Sequence, residues 1–294
     1  MSADIPLQTH SIPTTHGTIH VLDTGPPTAS KTSPTLLLLH GNSSSSLIFT
    51  PLLRLSRASP ALQRHRTLAL DLPGHGSSTD APSPETSYTQ PAYADAAIQV
   101  LDALGIHSVV VLGWSLGGHN AIEMVAQLAE SQGRIAGIMI VGTPPALGLQ
   151  QVKRGFGMER EEEHMNLAGT EVWEERFYDE FPYEAARGER APWIREAAKR
   201  TDGRARRIMF EAFEAGRGVD QVRVVGESNV PCAVVNGGDE PFVNLDYLDA
   251  LEYKNLWEGK CHRLPGLGHA PFWEQPATFL PYWERFVEYC SGQA

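Results

Sequence analysis

The sequence predicts an α/β fold: a mostly parallel sheet flanked by helices, with an inserted helical segment. Three observations carry this. Short apolar runs recur without polar alternation, helical segments separate them, and one long charged stretch interrupts the pattern. Apolar runs of four or five residues suit strands buried on both faces. Strands alternating with helices imply right-handed crossovers and a parallel sheet.

The elements follow in order. Pro26 to Pro34 and the serine run Ser43 to Ser46 read as loops. Thr35–Leu39 (TLLLL) is the first core strand and stops at His40-Gly41; Leu47–Leu62 has helical character after it. Thr67–Leu70 (TLAL) is the next strand, ending at Asp71 and Pro73-Gly74. Tyr93–Leu104 then places Ala97, Val100, Leu101 and Leu104 at helical spacing. Ser108–Leu112 (SVVVL) stops at Gly113 and leads into a helix over Leu116–Ala129, with Ile122, Val125, Ala126 and Ala129 on one face. Ile138–Val141 (IMIV) stops at Gly142.

From Ala146 to about Val225 no strand pattern survives. The segment is charged and helix-prone, holds the acidic run Glu159 to Glu163, and carries Trp173, Phe177, Phe181, Phe210 and Phe213 among its aromatics. Residues 146–225 are therefore expected to form a helical insertion, with 1–145 and 226–294 forming the core domain. Pro231–Val235 (PCAVV), Lys260–Leu264 (KCHRL) and a final helix over Pro276–Cys290 restore the sheet pattern.

Composition bounds the function. With 294 residues, 41% hydrophobic and 20% charged, the chain can bury a sizeable core. The formal charge of −11 disfavours nucleic acid and anionic lipid as partners. No apolar run is long enough to span a membrane, and the first twenty residues carry no secretory pattern. Cys232, Cys261 and Cys290 are odd in number and widely spaced, which fits free thiols in the cytoplasm. The histidines form no metal-ligand motif, so neither metal nor cofactor is expected.

The chemistry centres on Gly113-Trp114-Ser115-Leu116-Gly117, a G-x-S-x-G pattern between a strand and a helix. A serine there sits on a sharp turn with its hydroxyl thrust out of the sheet, a candidate nucleophile. The Leu116 amide, at the helix N-terminus, is a candidate oxyanion donor. His269, on the loop after the last strand, is the candidate base, since an imidazole titrates near neutral pH. Gly237-Gly238-Asp239-Glu240 offers two carboxylates to orient it, and only one can face the ring. The second oxyanion donor is expected from His40-Gly41-Asn42, at the Asn42 amide. His40 and His75 are expected to stabilise turns. Trp114 and Phe272 are expected in the substrate pocket.

These pieces together resemble the α/β-hydrolase superfamily, in its capped serine-hydrolase members of esterase or lactonase type. HGN at His40, DLPGHGSS at Asp71, GWSLGG at Gly113, GGDEPF at Gly237 and GLGHAPFWEQP at Gly266 run in family order. The resemblance implies an eight-stranded sheet, a Ser–His–acid triad, and an inserted helical cap between the sixth and seventh strands, here residues 146–225. The family register places the acid three residues after the glycine that ends its strand. That favours Glu240 over Asp239, although aspartate is the commoner acid. Ser115, standing where haloalkane dehalogenases and epoxide hydrolases carry Asp, argues against those two activities.

The function expected is hydrolysis of a small to medium, fairly apolar carboxylic ester or lactone through an acyl-enzyme, by a monomer or homodimer acting on a small molecule. The same triad also serves C–C bond hydrolysis, acyl transfer and lyase chemistry. A reading from another class is a small-ligand receptor built on a hydrolase scaffold.

Overall fold

The computed structural model describes residues 7–26, 33–130, 133–157 and 167–292. The acidic run Glu159 to Glu163 and most of the Pro26 to Pro34 loop lie outside them. Eight strands form one sheet: β1 (Gln8–Thr14), β2 (Gly17–Asp23), β3 (Thr35–Leu39), β4 (Thr67–Leu70), β5 (Val109–Trp114), β6 (Ile135–Val141), β7 (Cys232–Gly237) and β8 (His262–Leu264). Their spatial order is β1-β2-β4-β3-β5-β6-β7-β8. β2 pairs antiparallel with β1 and β4, and the remaining pairs are parallel.

Every residue of β3, β4 and β5 is buried. Their side chains alternate between two apolar layers. Leu36, Leu38, Val110 and Leu112 face one layer, while Leu37, Leu39, Val109 and Val111 face the other. The first layer is closed by α1 (Thr50–Ala58) and the C-terminal α12 (Pro276–Ser291), through Leu52, Phe279, Trp283 and Phe286. The second is closed by α3 (Gln90–Ala103) and α4 (Leu116–Gln127), through Ala97, Leu101, Ile122 and Val125. A short helix, α2 (Pro84–Ser87), precedes α3.

Two sequence expectations change. Leu47–Leu62 is not one helix. A 3-10 turn over Ser46–Phe49 leads into α1, which ends before Pro60 because a proline disfavours helical backbone at the residue before it. The strand expected over Lys260–Leu264 shortens to His262–Leu264. The β1–β2 hairpin had no clear sequence signal. β1 is an edge strand with exposed positions and a proline, which an edge tolerates.

Between β6 and β7 the described residues hold α5 (Gly148–Gly155), α6 (Phe177–Ala185), α7 (Pro192–Arg200), α8 (Gly203–Glu214) and α9 (Gln221–Glu227), and no strand. The buried Arg206 on α8 knits this segment. Its guanidinium donates to the Thr170 and Glu171 carbonyls and stacks 4.4 Å from the Trp173 ring. Two more short helices, α10 (Leu245–Asp249) and α11 (Pro271–Glu274), flank β8 in sequence. Among the described residues, no helix is long and apolar enough to cross a membrane.

Candidate active site

The singled-out residues gather at the C-terminal ends of parallel strands and just beyond them, where open α/β sheets gather ligands. Ser115 joins β5 to α4 with φ 53° and ψ −117°, a left-handed backbone that a non-glycine residue adopts only under constraint. Its amide donates to the Val141 carbonyl at 2.7 Å, and Thr143 Oγ1 donates to its carbonyl at 2.9 Å. The two motif glycines permit this crossing. A Cβ on Gly113 would collide with the Gly117 carbonyl, and one on Gly117 with the Leu39 carbonyl.

His269 is buried, and its ring lies between Trp114, centroid 5.5 Å away, and Phe242, at 5.0 Å. Its loop is pinned from both sides. Trp114 Nε1 donates to the His269 carbonyl at 2.9 Å. Glu274 accepts from the amides of Gly268 and Ala270 at 2.8 and 3.2 Å. Glu274 stands inside the GLGHAPFWEQP stretch, but nothing in the sequence says that its carboxylate folds back onto its own loop.

Of the two adjacent carboxylates, the structure brings Glu240 to the histidine. His269 Nδ1 donates to its Oε1 at 2.8 Å and its Oε2 at 2.9 Å, and the pair's side chains are 4% and 0% exposed. Glu240 Oε1 also accepts from the Phe242 amide at 3.0 Å. Asp239 is exposed, and its backbone amide donates to the Leu267 carbonyl.

Ser115, His269, Asn42 and Leu116 line one cavity. The segment between β6 and β7 contributes apolar lining at Phe156, Phe181, Met209 and Phe213. Asn42 ties that segment to the β3 loop, donating from Nδ2 to the Ala168 carbonyl at 2.8 Å. Trp114 also lines the cavity. Phe272 does not: it is fully buried behind Trp114, stacked 5.0 Å from Phe49, because α11 turns its ring into the layer beneath the site.

His40 and His75 are buried away from the cavity lining. His40 Nδ1 donates to the Gly41 carbonyl, and its Nε2 accepts from the Leu72 amide. His75 Nδ1 donates to the Pro73 carbonyl. Burial lowers both imidazoles, His75 to about 3, so both are neutral turn braces at physiological pH. Asp71 anchors the same turn, accepting from the amides of Ser46 and Ser77. Burial opposes its charge, but hydrogen bonds led by that from His20 hold its carboxyl down at about 2. Two cavity residues had no motif to announce them: Gln90, opening α3, and His119, one turn after Ser115 on α4. Among the described residues, no group of three or more His, Cys, Asp or Glu could hold a metal ion.

Known proteins share this fold. A model of the alpha/beta hydrolase family matches residues 36–281. Crystal structures of the N-acyl homoserine lactonase AidH complexed with N-butanoyl homoserine superpose with a TM-score of 0.87, at 43% identity over 97% of each chain. A pimeloyl-[acyl-carrier protein] methyl ester esterase of Xylella fastidiosa is 38% identical over 112 residues, 38% of this chain and 37% of that one, so the match spans little more than a third of that relative. A 2-hydroxy-6-oxononadienedioate/2-hydroxy-6-oxononatrienedioate hydrolase of Pseudomonas sp. is 27% identical over 73% of this chain and 74% of its own.

Proposed function

Because the chain belongs to the alpha/beta hydrolase family, we propose that it hydrolyses a small to medium, fairly apolar carboxylic ester or lactone, with a lactone as the preferred form. The observation that carries this reading is that His269, paired with Glu240, lines the same apolar cavity as a serine held on a strained turn. Near-full-length similarity to a lactonase supports the lactone form.

Ser115 Oγ attacks the carbonyl carbon as His269 Nε2 takes its proton. Glu240 holds Nδ1–H, which leaves Nε2 free to accept, and it stabilises the imidazolium that forms. The amides of Leu116 and Asn42 bind the oxyanion. Collapse breaks the ester C–O bond, and the imidazolium protonates the departing alkoxide. In a lactone that alcohol stays tethered to the acyl group. Water then gives a proton to His269 and attacks the acyl-enzyme, the Ser115 C–O bond breaks, and the serine recovers its proton as the acid leaves. The cap, residues 146–225, encloses the acyl chain and excludes bulk water from the acyl-enzyme.

The C–C hydrolase relative is named for a dioate. A substrate with two carboxylates calls for cationic recognition, and no Lys or Arg lines this cavity among the described residues. Intact-mass analysis after fluorophosphonate treatment tests the nucleophile. One adduct on the wild type and none on Ser115→Ala is expected, together with turnover of N-acyl homoserine lactones or short acyl esters. An adduct that persists on Ser115→Ala overturns the assignment.

A further inference from the structure

Two nitrogens in the cavity wall are buried and without hydrogen-bond partners: Nε2 of Gln90 and Nε2 of His119. Both residues are 2% exposed. Neither takes part in the chemistry above, and an unmet buried polar group is costly enough to need a reason.

The surrounding bonds fix what each nitrogen offers. Gln221 Oε1 accepts from the Ala146 amide at 3.4 Å, which sets the orientation of that carboxamide. Its Nε2 therefore donates to Gln90 Oε1, at 3.1 Å. That leaves Gln90 Nε2 as a free donor. Gln221 Oε1 also lies 2.7 Å from His119 Nδ1, so Nδ1 carries the proton and donates. Burial lowers the His119 imidazole to about 4, against a smaller opposing effect of the Gln221 bond, so the ring is neutral. His119 Nε2 is then a free acceptor. One Gln221 side chain thus holds both the residue with the unmet donor and the residue with the unmet acceptor. The buried Glu123 carboxyl also hydrogen-bonds Gln221, and the Phe213 ring stands edge-on to His119 at 4.7 Å.

The pair also has a fixed place relative to Ser115. His119 is four residues beyond it on α4, one turn and about 6 Å along the axis, with its side chain tilted back toward the nucleophile. Resting on the reading of Ser115 as nucleophile, we infer that Gln90 and His119 form a specificity subsite for a substrate group that both accepts and donates a hydrogen bond, a hydroxyl or a secondary amide, a few bonds from the scissile carbonyl. An alkyl chain leaves both nitrogens unmet. An ether or a tertiary amide meets only the donor. A site built this way rejects such analogues more strongly than an apolar pocket rejects a size change.

Two matched pairs separate the sources of that group. Phenyl 3-hydroxyhexanoate is compared with phenyl hexanoate, and the α-hexanoylamino γ-butyrolactone with its N-methyl amide. The expected result is a kcat/KM at least about tenfold higher for the hydroxyl or N–H member of one pair. The preference should fall to about twofold or less in Gln90→Leu and in His119→Leu, each checked for folding by its melting curve. Calorimetric binding of the same four compounds to Ser115→Ala reads the subsite without turnover. Failure of the wild type to hydrolyse any of them would sink the hydrolase reading, while a tenfold binding preference would still support the subsite. Equal or absent binding in both pairs, or a preference that survives both substitutions, overturns the inference.

Discussion

Replacing Glu240 by glutamine changes one charged atom pair and little volume. Both carboxylate oxygens lie within 2.9 Å of His269 Nδ1, and one also accepts from the Phe242 amide. That amide holds the glutamine oxygen where Oε1 now sits, so the ring keeps an acceptor for its Nδ1 proton. What is lost is the negative charge beside an imidazolium that exists only once Ser115 has been deprotonated. Two unit charges about 4 Å apart interact by about 4 kcal/mol at an effective dielectric near 20. The side chains are 0% and 4% exposed, so solvent screens them little. A loss of about 4 kcal/mol is roughly a thousandfold in kcat. KM should move little, because the charge matters to the transition state and not to the resting complex. Asp239→Asn is the control. Its side chain is exposed, and the variant should keep activity within about twofold. Steady-state kinetics on the best lactone or ester, with melting temperatures for both variants, decides it. A larger loss in Asp239→Asn than in Glu240→Gln would refute the reasoning outright.

Gly142→Ala should cripple turnover while leaving the fold intact. A Cβ there would stand 2.5 Å from His269 Cε1, and the φ of +61° adds backbone strain. A drop in kcat of about a hundredfold is expected from displacing the ring by an ångström, and wild-type kinetics from a folded variant would count against the placement of His269. Glu123→Gln should stabilise the protein, and more so at high pH. Burial raises the Glu123 carboxyl to about 7, against hydrogen bonds from the Val219 amide and Gln221. An acid whose pKa is raised by folding binds its proton more tightly in the folded state, so stability is lost as pH climbs from about 4.5 through 7. The gain should approach about 3 kcal/mol at pH 8 and be small at pH 5. Denaturant titrations at the two pH values measure it, and equal gains at both would contradict the shift.

What the sequence made legible, and what it hid, follows from where each constraint acts. β3, β4 and β5 were readable because burial on both faces demands uninterrupted apolar runs, and Ser115 because a strand-to-helix crossing this tight excludes any Cβ at Gly113 and Gly117. Constraints of that kind act within a few residues of the chain. The β1–β2 hairpin left no such trace, since an edge strand half in solvent needs neither an apolar run nor strict alternation. Two carboxylates at adjacent positions could not be separated by type. The choice between them depends on which one the β7 turn aims at His269, on a loop twenty-nine residues away. Gln90, His119 and Gln221 carry the same lesson further. Each is an unremarkable polar residue on its own helix, and their partnership spans more than a hundred residues of chain. A glutamine at a helix start reads as solvated surface until the fold buries it against another amide. Catalytic machinery is written in short motifs because it depends on local backbone geometry, whereas a selectivity subsite depends on side chains that meet only after folding. For this family the reaction class is therefore legible before the substrate, and the hydrogen bonds left unmet in the cavity are where the substrate's own polar groups can be read.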